Sequence, residues 1–303
     1  MTSKRGTVRY APAVLLTAAL VTATLSGCAG APADVACATP GDASNQVSVT
    51  GKFDSEPSVS MPTPLYAPAT QVSTAIEGDG ETLAGNEVVE LAWSLYNGRT
   101  GEKIFATPYD DVKPASPSGM LPGMADALAC HTVGSRLVAA ITPDDGFGEA
   151  GNPMYGVKAD DTLVMVIDIK NAYLGKADGI SMPVVQPGFP SVAVAPDGTP
   201  GLTIPTSPAP TTAKSALLKL GDGDTVKASD TVLAQIQQAS WNNQSITSST
   251  WTDGSPKTIP MNKAPKELTD ALTDIHVGSQ VIVLVPTPDG DASIYVIDVL
   301  GVL

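Results

Sequence analysis

The sequence predicts an α+β fold carried in two successive copies, each an antiparallel sheet wrapped on one short helix. Three observations predict it: an internal repeat, β-rich apolar strands set between Gly- and Pro-containing turns, and one stretch of helical spacing per copy. The repeat is direct. Pro57-Ser-Val-Ser-Met-Pro62 matches Pro200-Gly-Leu-Thr-Ile-Pro205 at an offset of 143, and Glu77-Gly-Asp-Gly80 matches Leu220-Gly-Asp-Gly223 at the same offset. Thr132-Val-Gly-Ser135 matches His276-Val-Gly-Ser279, and Ala125-Asp-Ala-Leu128 matches Thr269-Asp-Ala-Leu272, both at 144. Matches that keep their order and drift by one residue describe one domain written twice.

The elements of each copy follow in turn. Glu87–Leu95 and Thr231–Ile236 are β-rich and read as strands. Asn97-Gly98 and Thr100-Gly101 mark a turn after the first of them. Pro122–His131 and Pro265–Ile275 have helical spacing with Pro near the start, where its missing N–H costs no helical bond. Apolar strands at Arg136–Ile141 and Gln280–Val285 follow, and closing strands at Thr162–Ile169 and Ser293–Leu300. Met182–Thr212 is rich in Pro, Gly and Thr, and its second part, Val192–Pro205, repeats the opening of the first copy. The expected boundaries are therefore 47–175 for the first domain, 176–190 for a linker and 191–303 for the second domain.

Ahead of the repeat, Lys4, Arg5 and Arg9 precede the apolar run Ala11–Leu25 and then Leu25-Ser-Gly-Cys28. A charged start, a short apolar stretch and small residues mark an export signal over 1–27. The run falls short of the roughly 20 apolar residues that a spanning helix needs. Leu-Ser-Gly-Cys resembles the bacterial lipobox, which implies acylation of Cys28 and a lipid anchor on the extracytoplasmic face of the cell membrane. Residues 28–46 are expected to form a tether. More than one acyl chain makes such an anchor stable, since each buried methylene contributes about 0.8 kcal/mol.

Composition narrows the function. Of 303 residues, 43% are hydrophobic and 5% aromatic, so the cores must be built mostly from aliphatic side chains. The formal charge is −14, and removing Lys4, Arg5 and Arg9 with the signal makes it −17. Binding nucleic acid needs a basic face to neutralise phosphates, so this acidic balance argues against nucleic acid as a partner. Cys37 and Cys130 remain after Cys28, an even pair in an oxidising compartment: a disulfide or two free thiols. His131 and His276 lie far apart without ligand-like neighbours, so no metal site is expected.

The first copy resembles the FKBP-type peptidyl-prolyl isomerases. The motifs are Gly78-Asp-Gly80, a hairpin leading to Phe105, Met120-Leu-Pro-Gly-Met124, Val133-Gly134, Pro143-Asp-Asp-Gly-Phe-Gly148 and Asp161-Thr-Leu-Val-Met165. The resemblance implies an apolar catalytic pocket without nucleophile or cofactor. Its residues would be Trp93 at the family's strand Tyr, Phe105, the pair Met120 and Leu121, Met124 at the floor Trp, Phe147 at the flap Tyr, Val157, and Met165 at the rear Phe. Ala106 stands where the family has Asp. In the second copy, Ile236 and Ile246 take the Tyr and Phe positions and Leu268 the floor. Pro286-Thr-Pro-Asp-Gly290 leaves no room for a flap. The implied function is an exported isomerase and folding factor acting on proline-containing polypeptides outside the membrane, with an inactive second domain. The alternatives are a binding module with little turnover, gripping Pro-containing or apolar segments of envelope proteins, and a structural surface protein.

Overall fold

The computed structural model describes Thr2, residues 37–184 and residues 186–303. The expected signal (Thr2 aside), Cys28 and the tether through residue 36 lie outside the described residues. The chain then runs through helix α1 (Asp42–Asn45), the hairpin β1 (Ser48–Thr50) and β2 (Ser58–Ser60), and β3 (Gln71–Ile76). It continues through β4 (Val88–Asn97), β5 (Lys103–Ala106), β6 (Pro114–Ala115), helix α2 (Pro122–Leu128), β7 (Arg136–Ile141) and β8 (Leu163–Tyr173). These strands form one antiparallel sheet in the order β3-β7-β8-β4-β5, with β6 also on β4, while β1 and β2 pair apart.

The remainder opens with β9 (Ile180–Ser181), the hairpin β10 (Ser191–Val194) and β11 (Pro200–Thr203), and β12 (Lys214–Leu220). It closes with β13 (Thr231–Ser240), β14 (Ser245–Ser249), helix α3 (Thr250–Asp253), β15 (Lys257–Pro260), helix α4 (Lys266–Leu272), β16 (Gln280–Pro286) and β17 (Ala292–Val302). The second sheet is ordered β9-β12-β16-β17-β13-β14, with β15 on β13. Strand for strand, β12-β16-β17-β13-β14 repeats β3-β7-β8-β4-β5. The isolated bridges correspond too, Thr82 with Thr132 and Thr225 with His276.

Each sheet is covered on both faces. In β7, Leu137, Ala139 and Ile141 pack toward α2, while Val138 and Ala140 pack toward α1 and the β1–β2 hairpin. In β8, Leu163, Met165, Ile167 and Ile169 take the first face and Val164 and Val166 the second. Period-two alternation thus separates two cores rather than core from solvent, so these strands read as continuous apolar runs. The second sheet does the same, with Val281 and Val283 on the α4 side and Ile282 and Leu284 beneath β10–β11.

Both helices stop earlier than their sequence spacing predicts, at Leu128 and Leu272. The chain turns left-handed just after, at Cys130 (φ 67°) and Asp274 (φ 63°). For a residue with a Cβ this conformation costs about 1–2 kcal/mol. It is held by backbone bonds from the Cys130 N–H to the Leu83 carbonyl (2.8 Å) and from the Asp274 N–H to the Val226 carbonyl (2.9 Å). Cys130 is also joined to Cys37 by a disulfide, with Cα atoms 5.7 Å apart.

Two segments expected to be a tether and a linker are packed into the fold. The tether's last residues belong to the fold, because α1 buries Ala43 and Ser44 and the Gln71 side chain accepts the Ala43 N–H (2.9 Å). The expected linker 176–190 contributes β9, which pairs with β12, and the Ala177 N–H donates to the buried Asp298 (2.8 Å). The halves also share a small core of Val88, Leu233 and Leu300 with Tyr173 and Leu174. Gly301 lies against the Tyr173 ring, which a Cβ would meet at 2.5 Å.

Candidate functional site

Strand β4 builds the site from its alternation. Leu91, Trp93 and Leu95 face the side where α2 packs, and Trp93 is fixed in register by its N–H, which donates to the Thr107 hydroxyl (2.9 Å). Phe105 on β5 lies beside Trp93, with ring centroids 5.1 Å apart. Met165 rises from β8, where it pairs with Leu95. Pro122 opens α2, and the 3₁₀ turn Pro117–Gly119 before it brings Met120 and Leu121 to the same place. Met124, one turn on, is buried as a floor. These side chains enclose a cavity of about 720 Å³ with a largely apolar wall.

The remaining wall is the loop between β7 and β8. Its near end is tied by the Asp145 carboxylate, which accepts from the Thr70 and Thr142 hydroxyls (2.5 and 2.8 Å), and by the Gly123 N–H bonding the Asp145 carbonyl (2.8 Å). Its far end is tied by Asp161, which accepts from Arg99 (2.7 Å), Asn97 (2.9 Å) and the Lys158 N–H (2.9 Å). Burial works against ionisation of Asp161, but the bonds from Arg99, Lys158 and Asn97 outweigh it and hold its carboxyl below the usual range. Between these anchors Phe147 and Tyr155 reach the cavity, their rings 6.1 Å apart.

Trp93, Phe105, Met120, Leu121, Met124, Phe147 and Met165 all line the cavity. Val157 does not. Paired with Asn152 across the loop, it is buried in the core that includes Met124. The structure adds Tyr155, Val112, Leu91 and Leu95 to the wall. Tyr155 had a visible signal, an aromatic residue inside the turn sequence Asn152-Pro-Met-Tyr-Gly156, whereas Leu91 and Leu95 look like any strand core. Phe105 and Tyr155 are each 44% exposed and Met154 is 86% exposed, so the loop and β5 present apolar surface to solvent.

Charge is confined to one part of the lining. Asp111 and Lys113 both touch the cavity and pair with each other at 2.6 Å. The hydrogen bond from Lys113 holds the exposed Asp111 carboxyl below its ordinary value. Trp93 Nε1 and the Tyr155 hydroxyl have no partner within the described residues. Nothing in the wall is arranged as a nucleophile with a base.

The matching region of the second half is built differently. The Ile236 N–H donates to Thr250 as Trp93 does to Thr107, but Ile246 is 54% exposed and Leu268 packs into the core. The connection from β16 to β17 is a tight turn closed by the Thr287 N–H on the Asp291 carbonyl (2.9 Å), with Gly290 at φ 81°. No loop from that turn covers the region. Among the described residues, no group of three or more His, Cys, Asp or Glu is placed to hold a metal ion.

The sequence matches no family model and no curated protein. Solved structures do match at low identity. The three FKBP domains of wheat FKBP73 are 14% identical, covering 78% of this chain and 95% of that one, with a TM-score of 0.37. A peptidyl-prolyl cis-trans isomerase from Pseudomonas syringae pv. tomato is 17% identical over 35% of this chain and 77% of its own, with a TM-score of 0.32. The N-terminal domain of FKBP42 from Arabidopsis thaliana is 15% identical over 39% and 97%, with a TM-score of 0.33. The structural neighbours of this mostly antiparallel chain are thus FKBP-type proteins. At such identities no residue's role carries across.

Proposed function

We propose that this protein is a membrane-anchored peptidyl-prolyl cis-trans isomerase and folding factor made of two tandem FKBP-like domains, of which the first carries the active pocket. The observation that supports it is the open apolar cavity between β4, the start of α2 and the β7–β8 loop, wide enough at about 720 Å³ for a proline and its neighbours. An X–Pro bond rotates over a barrier of about 18–20 kcal/mol, and uncatalysed exchange takes about 10–100 s. The planar amide is more dipolar than the twisted one. A site that replaces water with Trp93, Phe105, Met124, Phe147 and Met165 destabilises the planar form relative to the transition state without a nucleophile or proton transfer. That chemistry requires no metal and no cofactor.

In this reading, cleavage before Cys28 and acylation of its sulfur fix the first domain to the extracytoplasmic face of the cell membrane. Only nine positions separate Cys28 from Cys37, which is bonded to the first domain through Cys130. Proline-containing polypeptides emerging there are the proposed substrates. Phe147 and the Lys113-paired Asp111 leave the wall poor in free polar groups, which favours the second reading, a module that grips such segments with little turnover. One experiment separates them. The mature protein is mixed with a short X–Pro peptide and the cis-to-trans relaxation is followed. The isomerase accelerates it and loses the acceleration in Phe105→Ala and Phe147→Ala. An unchanged relaxation rate with saturable peptide binding supports the module, and neither effect defeats both.

A further inference from the structure

We infer that the second half is a positioning element for the pocket of the first. The two halves meet at a second place besides the core around Tyr173, and that place is the edge of the cavity. Helix α3 is anchored to β13 through Thr250, whose hydroxyl accepts the Ile236 N–H (2.9 Å) and bonds the Gln235 side chain. It ends at Gly254, which is left-handed at φ 63°. A Cβ there would stand 3.4 Å from the Ser118 hydroxyl oxygen and 3.8 Å from the Gly119 nitrogen, and one on Gly119 would stand 3.6 Å from the Gly254 carbonyl oxygen. The backbone of one half thus comes so near the turn that opens the other half's pocket that a side chain on either glycine would touch the other segment.

That turn has little freedom of its own to yield. The Gly119 and Met120 N–H groups bond the Ser116 and Pro117 carbonyls (3.1 and 3.0 Å), and the Ser116 and Ser118 hydroxyls bond each other (3.0 Å). Gly119, Met120 and Leu121 are consecutive and all line the cavity. A shift of Ser118 and Gly119 is therefore passed to the wall as a unit. Behind the contact, Trp251 of α3 packs against the position of Gly198, where Lys176 from the connecting segment also lies. Helix α3 thus lies between the β10–β11 turn that holds Gly198 and the edge of the pocket. This explains how a half without a loop over its own site can still serve the site next to it. The inference rests on the isomerase reading only for what the wall binds.

The test uses the full mature chain with Gly254→Val, whose branched methyl groups enter the 118–119 turn. Gly290→Val is the control, an equally left-handed glycine of the same half with nothing within 4 Å of its Cβ position. Two quantities are read: amide hydrogen exchange at 116–121, and KM for an Ala-Leu-Pro-Phe peptide. Gly254→Val is expected to speed exchange at 116–121 about tenfold. It is expected to raise KM about fivefold with kcat unchanged, the pattern of lost binding shared by ground and transition states. The control is expected to do neither. Wild-type exchange and KM in a folded Gly254→Val protein overturn the inference. If that variant does not fold, Gly254→Ala must move both quantities the same way by less, and no movement overturns it equally. If the wild type shows no turnover, the functional reading fails and the exchange data alone decide the positioning role.

Discussion

Arg136→Gln converts the buried ion pair of the first half into the arrangement the second half already has. Arg136 and Asp168 are almost fully buried, and the guanidinium donates to both carboxylate oxygens (2.6 and 2.7 Å). It also donates to the Ser55 carbonyl (2.7 Å) and the Gly51 carbonyl (3.3 Å), while the Asp54 N–H donates to Asp168 (2.7 Å). One side chain thus holds the β1–β2 turn to the back of the sheet. The equivalent group in the second half is Gln280, which donates to Asp298 (2.7 Å), with Ala177 in the place of Asp54. Glutamine cannot reach the 51–55 turn and leaves Asp168 buried without a cation. Removing one partner of a buried pair costs about 3–5 kcal/mol, a large part of the 5–15 kcal/mol typical of a folded domain. Because Gln280 shows that glutamine can still bond the carboxylate, the expected loss lies near 3 kcal/mol. Urea unfolding at neutral pH, read as a midpoint shift at constant slope, measures it. Adding Asp168→Asn removes the stranded charge and should recover more than half of the loss. A loss below about 1 kcal/mol, the size of an exposed pair, or a double variant weaker than the single one, would refute the reasoning.

The remaining predictions concern the same two structures. Asp298→Asn should stabilise the protein at neutral pH. Burial raises the Asp298 carboxyl above its ordinary value. Its ionised form therefore weighs against folding once pH climbs through the folded value. The advantage of Asn should shrink as pH falls toward about 4, near the unfolded value, and stability measured against pH for both proteins decides it. Cys130→Ser should lower stability in oxidising buffer by up to about 4.7 kcal/mol, the chain-entropy limit for a loop of this size, since the bridge spans 93 residues. The difference should vanish in reductant, and thiol counting on the unreduced mature protein should find Cys37 and Cys130 unreactive. Phe105→Ala and Phe147→Ala should each abolish acceleration of X–Pro relaxation, and Phe105→Ala should leave the fold intact because its ring is half exposed.

The parts of this protein legible from sequence are those set by local chemistry and by repetition. Alternation and apolar runs located β4, β7, β8, β13, β16 and β17 to within a few residues, because a strand's period of two needs no partner to be visible. Pro122 and Pro265 located the helix starts for the same reason. Their ends were misjudged, since the left-handed residues there are Cys130 and Asp274 rather than glycine, and only the backbone bonds to Leu83 and Val226 make them affordable. The resemblance to the FKBP-type isomerases, not periodicity, brought Trp93, Phe105, Met124, Phe147 and Met165 forward as candidates, and all five line one cavity. Val157 does not join them, because its bridge to Asn152 accompanies burial in the core that includes Met124, a tertiary pairing that a residue-by-residue resemblance does not carry.

What the sequence by itself determined is the recurrence of one antiparallel strand order, with a helix opening at Pro122 and again just after Pro265, and the apolar character of the wall. Tertiary structure alone decided which surfaces meet. It placed the connector in the second sheet, gave each sheet a second core, and seated Gly254 against the turn of Ser118 and Gly119. The physical reason is range. Periodicity and turn chemistry act over a few residues and are written in the order of the chain. The contact between Gly254 and Ser118 depends on two backbones approaching closely, and any pair of small residues could have made it.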